Sequence, residues 1–121
     1  MAMSCTITEE SQSHVKKIKF EWVSAADGTA SGTTSGVYTG EVIRLVTKPA
    51  ADTSAPTDNY DVTVNDEDTV DVLMGAGANR DIATTEQVLG TSLGCVANDR
   101  LALSITNAGD TKAGTVILYI K

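Results

Sequence analysis

Apolar and polar residues alternate in short runs along most of this chain, the period of half-buried strands. Ile18, Phe20 and Trp22 alternate with Lys17, Lys19 and Glu21, which predicts a strand over 16–24 with three large apolar groups on one face. Ala25-Ala26-Asp27-Gly28 supplies turn chemistry after it. The Gly/Ser/Thr-rich stretch 29–36 reads as an exposed loop. A second strand is expected over 37–48, with Ile43 and Leu45 on one face and Tyr38, Val42 and Val46 on the other. Apolar groups on both faces imply cover on both sides, and Gly40 suggests a bulge. Pro49 ends this run, and a polar connection follows to Asn59.

Tyr60, Val62 and Val64 alternate with Asp61, Thr63 and Asn65, a further half-buried strand. Asp66-Glu67-Asp68 forms a turn, Val70 and Val72 begin a short strand, and Gly75 to Asn79 is glycine-rich and flexible. The stretch 81–89 is the one helical candidate, with Ile82, Val88 and Leu89 as a weak apolar set and Gly90 as its stop. Leu101, Leu103 and Ile105, then Val116, Leu118 and Ile120, form two alternating runs around Asn107-Ala108-Gly109-Asp110, and read as a β-hairpin. Residues 1–13 have no clear period and are expected to be a flexible arm, or an edge strand that orders on assembly. Short strands between turn-rich loops imply an all-β protein: a single β-sandwich over 14–121, jelly-roll-like or Ig-like, with at most one short helix.

The 121 residues fit one domain. One Trp, one Phe and three Tyr leave most of the core to Val, Ile, Leu and Ala. Such a light core gains if part of its apolar surface closes against a partner. The net charge of −7 argues against nucleic acid as a partner, because phosphate binding needs clustered cations. Lys16, Lys17 and Lys19 lie inside the first alternating run and read as its solvent face. No apolar run approaches the roughly 20 residues of a membrane span. The first 14 residues lack the basic end and apolar stretch of a signal peptide, so the protein is expected to stay in the compartment where it is made. Cys5 and Cys95 are far apart in sequence and read as reduced structural thiols, with a disulfide as the alternative.

Catalytic equipment is sparse. The single histidine, His14, stands beside Ser13, yet no nucleophile elbow exists for it to serve, and it reads as a surface residue. One histidine and two distant cysteines do not make a zinc site. Gly75-Ala76-Gly77 lacks the remainder of a dinucleotide fingerprint. Asp58, Asp61, Asp66, Glu67, Asp68 and Asp71 form one acidic constellation. Within it Asp66, Asp68 and Asp71 are weak calcium candidates, because Ca²⁺ takes six to eight oxygens and the EF-hand order is missing. The same carboxylates could be paired for glycoside hydrolysis, but Tyr60 is the one aromatic nearby. No cofactor is expected.

Two longer phrases carry a resemblance. One is Thr57-Asp58-Asn59-Tyr60-Asp61-Val62-Thr63-Val64-Asn65-Asp66, followed by Asp71-Val72-Leu73-Met74-Gly75-Ala76-Gly77-Ala78-Asn79. The other is Leu101-Ala102-Leu103-Ser104-Ile105-Thr106-Asn107-Ala108-Gly109-Asp110, followed by Gly114-Thr115-Val116-Ile117-Leu118-Tyr119-Ile120. With the Trp22 strand and its Asp27-Gly28 turn, they resemble small virion structural proteins of tailed bacteriophages over residues 15–120. The resemblance implies a non-enzymatic β-domain built into the virion, first of all a head decoration or cement protein that clamps neighbouring major capsid subunits. A neck-, tail- or fibre-associated module binding a receptor or carbohydrate is the alternative. The expected partners are the major capsid protein or another virion protein, with self-association as a homo-oligomer, a trimer favoured. Cys5, Thr6, Ile7 and Thr8 in the N-terminal arm are the candidate partner-binding residues.

Overall fold

The computed structural model describes residues 3–12 and 14–121. Nine strands make an all-β domain: β1 (Ser4–Gln12), β2 (Val15–Val23), β3 (Ala30–Thr33), β4 (Tyr38–Pro49), β5 (Asp61–Asn65), β6 (Glu86–Leu89), β7 (Cys95–Asp99), β8 (Ala102–Thr106) and β9 (Ala113–Ile120). Single 3-10 turns at Asp52–Ser54 and Gly90–Ser92 are the helical elements among the described residues. All strand pairings are antiparallel. The larger sheet runs β1-β2-β9-β4-β6, with β7 also on β4, and the smaller runs β3-β8-β5.

Both sheets line one core. The larger contributes Ile18, Phe20, Trp22, Val42, Leu45, Val116, Leu118 and Ile120, and the smaller Ala30, Val62, Val64, Leu103 and Ile105. Trp22 lies 5.7 Å from the Tyr60 ring, tilted by 50°. Gly114 makes room for the indole, because a Cβ there would come within 2.7 Å of Trp22 Cζ2.

Several expectations are corrected. The run 101–120 is not a hairpin, because β8 pairs with β3 and β5 in one sheet while β9 pairs with β2 and β4 in the other. The connection between them crosses the core edge. Buried Ala108 exchanges hydrogen bonds there with Gly28 and Thr57, and Asn107, Gly109 and Thr111 adopt positive φ. Alternation identifies a strand, but two strands of equal pattern can join different sheets. The helix expected over 81–89 is a turn followed by β6, whose Glu86–Leu89 pairs with Arg44–Thr47. The three apolar residues there are too few to hold a helix without tertiary support. Stretch 29–36, expected as an exposed loop, contains β3, with Ala30 and Thr34 buried. Val70 and Val72 do not form a strand: Val70 is exposed, and Asp71 makes an isolated bridge to Asn65.

Along β4, strict alternation would place Val42 and Leu45 on opposite faces. Both are buried in the core because the register with β9 shifts between Val42 and Arg44, which inserts Ile43 as an extra residue. Val46 is left on the outer face, and it is still buried. A second shift against β7 falls between Tyr38 and Thr39. Gly40 sits between the two irregularities at φ +147°, where a Cβ would meet the Lys121 carbonyl oxygen at 2.6 Å. There the C-terminal residue pairs its backbone with Glu41.

Candidate functional site

The four N-terminal candidates divide between two environments. Met1, Ala2 and Ser13 of the expected arm lie outside the described residues, but Ser4–Gln12 is β1, paired with β2 in unbroken register from Ser4↔Val23 to Gln12↔Val15. The polar composition hides this strand: Cys5, Ile7 and Glu9 face inward, whereas Thr6, Thr8 and Glu10 face solvent. Cys5 and Ile7 pack on β3, and a Cβ at Gly32 would touch Cys5 Sγ at 2.7 Å and Ile7 Cδ1 at 3.2 Å. Burial pushes the Cys5 thiol pKa up, and Cys5 and Cys95 are both free. Thr6 and Thr8 are the exposed members of the four, and Cys5 and Ile7 are half-buried.

Glu9 fastens this strand. Its carboxylate accepts the Ser35 N–H at 3.0 Å, the Gly36 N–H at 2.9 Å and the Tyr38 hydroxyl at 2.5 Å. Burial alone would raise its pKa, but the hydrogen bonds from Tyr38, Ser35 and Gly36 outweigh that and hold it below the usual carboxylate range. Tyr38 responds in the opposite sense: burial first, then the Glu9 hydrogen bond and charge, push its hydroxyl well up. Charge-assisted bonds of this kind are among the stronger ones a fold makes. The sequence signal was faint, a single carboxylate at an inward position of a weak alternation. Because β1 ends the larger sheet, its second backbone edge pairs with no described strand.

The acidic constellation is reorganised. Asp66 and Asp68 come together as expected, but their third neighbour is Asp99, with one carboxylate oxygen from each within 4.8 Å of the others. Asp71 is turned away: its Oδ1 accepts the Val64 and Leu73 N–H groups and its Oδ2 accepts that of Gly75. Asp99 was missed because it lies more than 30 residues along the chain. Asp66 Oδ1 caps its own turn through the Asp68 and Val70 N–H groups at 3.0 and 3.1 Å. Asp99 accepts the Glu67 N–H, and Glu67 accepts the Arg100 N–H at 2.8 Å. These carboxylates therefore tie the turn after β5 to the turn after β7. The three clustered carboxylates would need further oxygens, from second carboxylate oxygens, backbone carbonyls or water, to reach the six to eight that calcium takes. Asp58 and Asp61 serve backbone and side-chain donors at Ile82, Asn79 and Asn107.

His14 occupies the turn between β1 and β2 and is exposed. No helix among the described residues is long and apolar enough to cross a membrane. Comparison with family models, with curated proteins and with solved structures finds no match.

Proposed function

We propose that this chain is a structural protein of a tailed-bacteriophage virion, made in the host cytoplasm and carried on the head as a decoration or cement protein. The observation that carries the reading is the resemblance of the phrases around 57–79 and 101–120 to such proteins. Those phrases supply β5, β8, β9 and the turns that join the two sheets. The role is non-enzymatic: the protein clamps neighbouring subunits of the major capsid protein, and it does so as a homo-oligomer, a trimer suiting local three-fold positions on a shell. A long polar edge strand supports this, since β1 presents Thr6 and Thr8 beside an unpaired backbone edge of the kind that accepts another strand. Natural sheets guard such edges with charged side chains, Pro or a bulge; β1 carries Glu9 and Glu10 but no Pro, Lys or bulge.

The receptor- or carbohydrate-binding alternative needs exposed aromatic platforms. Phe20, Trp22, Tyr38 and Tyr60 are buried, and Tyr119 lies under the Arg44 guanidinium at 5.0 Å. All five aromatic side chains are thereby occupied, which favours the decoration reading. Antibody labelling of purified particles tests it: label distributed over the head surface supports the reading, and label confined to neck, tail or fibres overturns it.

A further inference from the structure

The outer face of β2, β9 and β4 departs from the acidic character of the chain. Lys17, Tyr119 and Arg44 stand opposite one another in one row, Lys19, Ile117 and Val46 in the next, and Thr115 and Lys48 in a third. Residues directly opposite in neighbouring strands share a face. Four of the nine cations of the chain are therefore gathered here. The carboxylates in register with these rows are Glu10, opposite Lys17, and Glu21, opposite Thr115. The chain as a whole has 16 acidic residues to nine basic ones, so this face reverses the balance. Among the described residues the one ion pair is Arg80–Glu86 at 3.7 Å, and it involves none of the four.

The face is also preformed. Arg44 donates from Nε and Nη2 to the Gln87 side-chain oxygen at 3.0 and 2.6 Å while its guanidinium covers Tyr119. Beside it Leu89 is 72% exposed. A rigid apolar centre ringed by unpaired cations suits an acidic protein surface.

The chain carries such a surface itself. Asp66, Asp68 and Asp99 hold their carboxylates within 4.8 Å of one another, where like charges repel, and Glu67 lies beside them. Their turns tie the end of β5, in the smaller sheet, to the end of β7, and no ion pair joins them to the cationic face within one copy. From this complementarity we infer that the cationic face of one copy docks the 66–68 turn and Asp99 of the next. The contact joins two different patches, so it either pairs reciprocally about a two-fold axis as a dimer or, made head to tail, closes into a ring or runs on as a filament. Its form as a trimer, the smallest such ring, rests on the decoration reading above.

The test uses the isolated protein, so its failure leaves shell binding untouched, and failed shell binding leaves the ring untouched. Sedimentation velocity at low ionic strength is expected to give the trimer mass. At about 1 M salt, where the screening length is about 3 Å, the monomer should dominate. Lys19→Glu and Asp68→Lys should each give monomers at low salt, and the double variant should regain the trimer. Asp68 is suited to this because its carboxylate is exposed, and circular dichroism checks that each variant is folded. A monomer at every salt concentration, or an oligomer indifferent to both substitutions, overturns the inference. So does a monomer whose cationic face binds poly-L-glutamate or a single-stranded oligonucleotide, since the occupant is then another macromolecule.

Discussion

The Glu9 carboxylate accepts the Tyr38 hydroxyl at 2.5 Å, and this contact joins the edge strand β1 to the start of β4. With the Ser35 and Gly36 N–H groups added, the carboxylate is satisfied three times in its ionised form.

A pH dependence follows from that arrangement. The folded pKa of Glu9 is depressed, so its contribution to stability is complete above the unfolded value, about 4.3 for Glu. It is lost as pH falls through the folded value. Glu9→Gln should lower the melting temperature at pH 7, and the gap to the natural protein should narrow progressively below about pH 4. Thermal melts from pH 7 to pH 3 read this out, and a gap constant over that range contradicts it.

Packing around the indole gives a second expectation. Trp22 is 1% exposed and rests on Gly114 and the Tyr60 ring. Trp22→Ala should cost about 3–5 kcal/mol in denaturant unfolding. Gly114→Ala should cost about 1–3 kcal/mol, because the new methyl group must displace the rigid ring edge or the strand. A change near zero for Gly114→Ala would mean that the indole sits elsewhere.

Strand existence was legible where inward apolar groups alternated with charged, polar or smaller residues, as in β2, β5 and β8, or ran as a regular Val-Leu-Ile series, as in β9. What escaped the sequence has specific causes. β3 is built from Ala, Ser, Gly and Thr, and the inward side of β1 carries Cys5, Ile7 and the charged Glu9, so neither strand shows a run of large inward apolar residues. The bulge at Ile43 breaks alternation inside a run that looks continuous. The pairing of β8 and β9 with different sheets depends on a buried turn at Ala108, and local sequence carries no record of partner choice. At the candidate sites, Asp66 and Asp68 were visible as a cluster, but Asp99 arrives only through the fold. The cationic face was half visible: Lys17 and Lys19 read as the solvent side of a strand, whereas Arg44 and Lys48 join them through β9.

Calcium should matter little to stability. Asp71, one of the three expected ligands, is committed to backbone donors, and Asp66 and Asp99 already cap turns. A bound ion at a hundredfold excess over its dissociation constant would add about 2.7 kcal/mol. The melting temperature is expected to be unchanged by millimolar calcium. A clear rise abolished by Asp68→Asn would restore the cluster as a metal site.

The most direct measurement of the decoration account compares binding to assembled and unassembled capsid protein. A cement site spans neighbouring subunits, so it is complete only on the shell, and several weak contacts made together by one oligomer raise avidity there. Purified protein is mixed with expanded, undecorated heads and, separately, with free capsid subunits, and co-sedimentation and the heat resistance of the heads are recorded. The account predicts saturable binding to the heads, little to the subunits, and a higher temperature of head disruption. Equal binding to both forms, or heads no more resistant to heat, would contradict it.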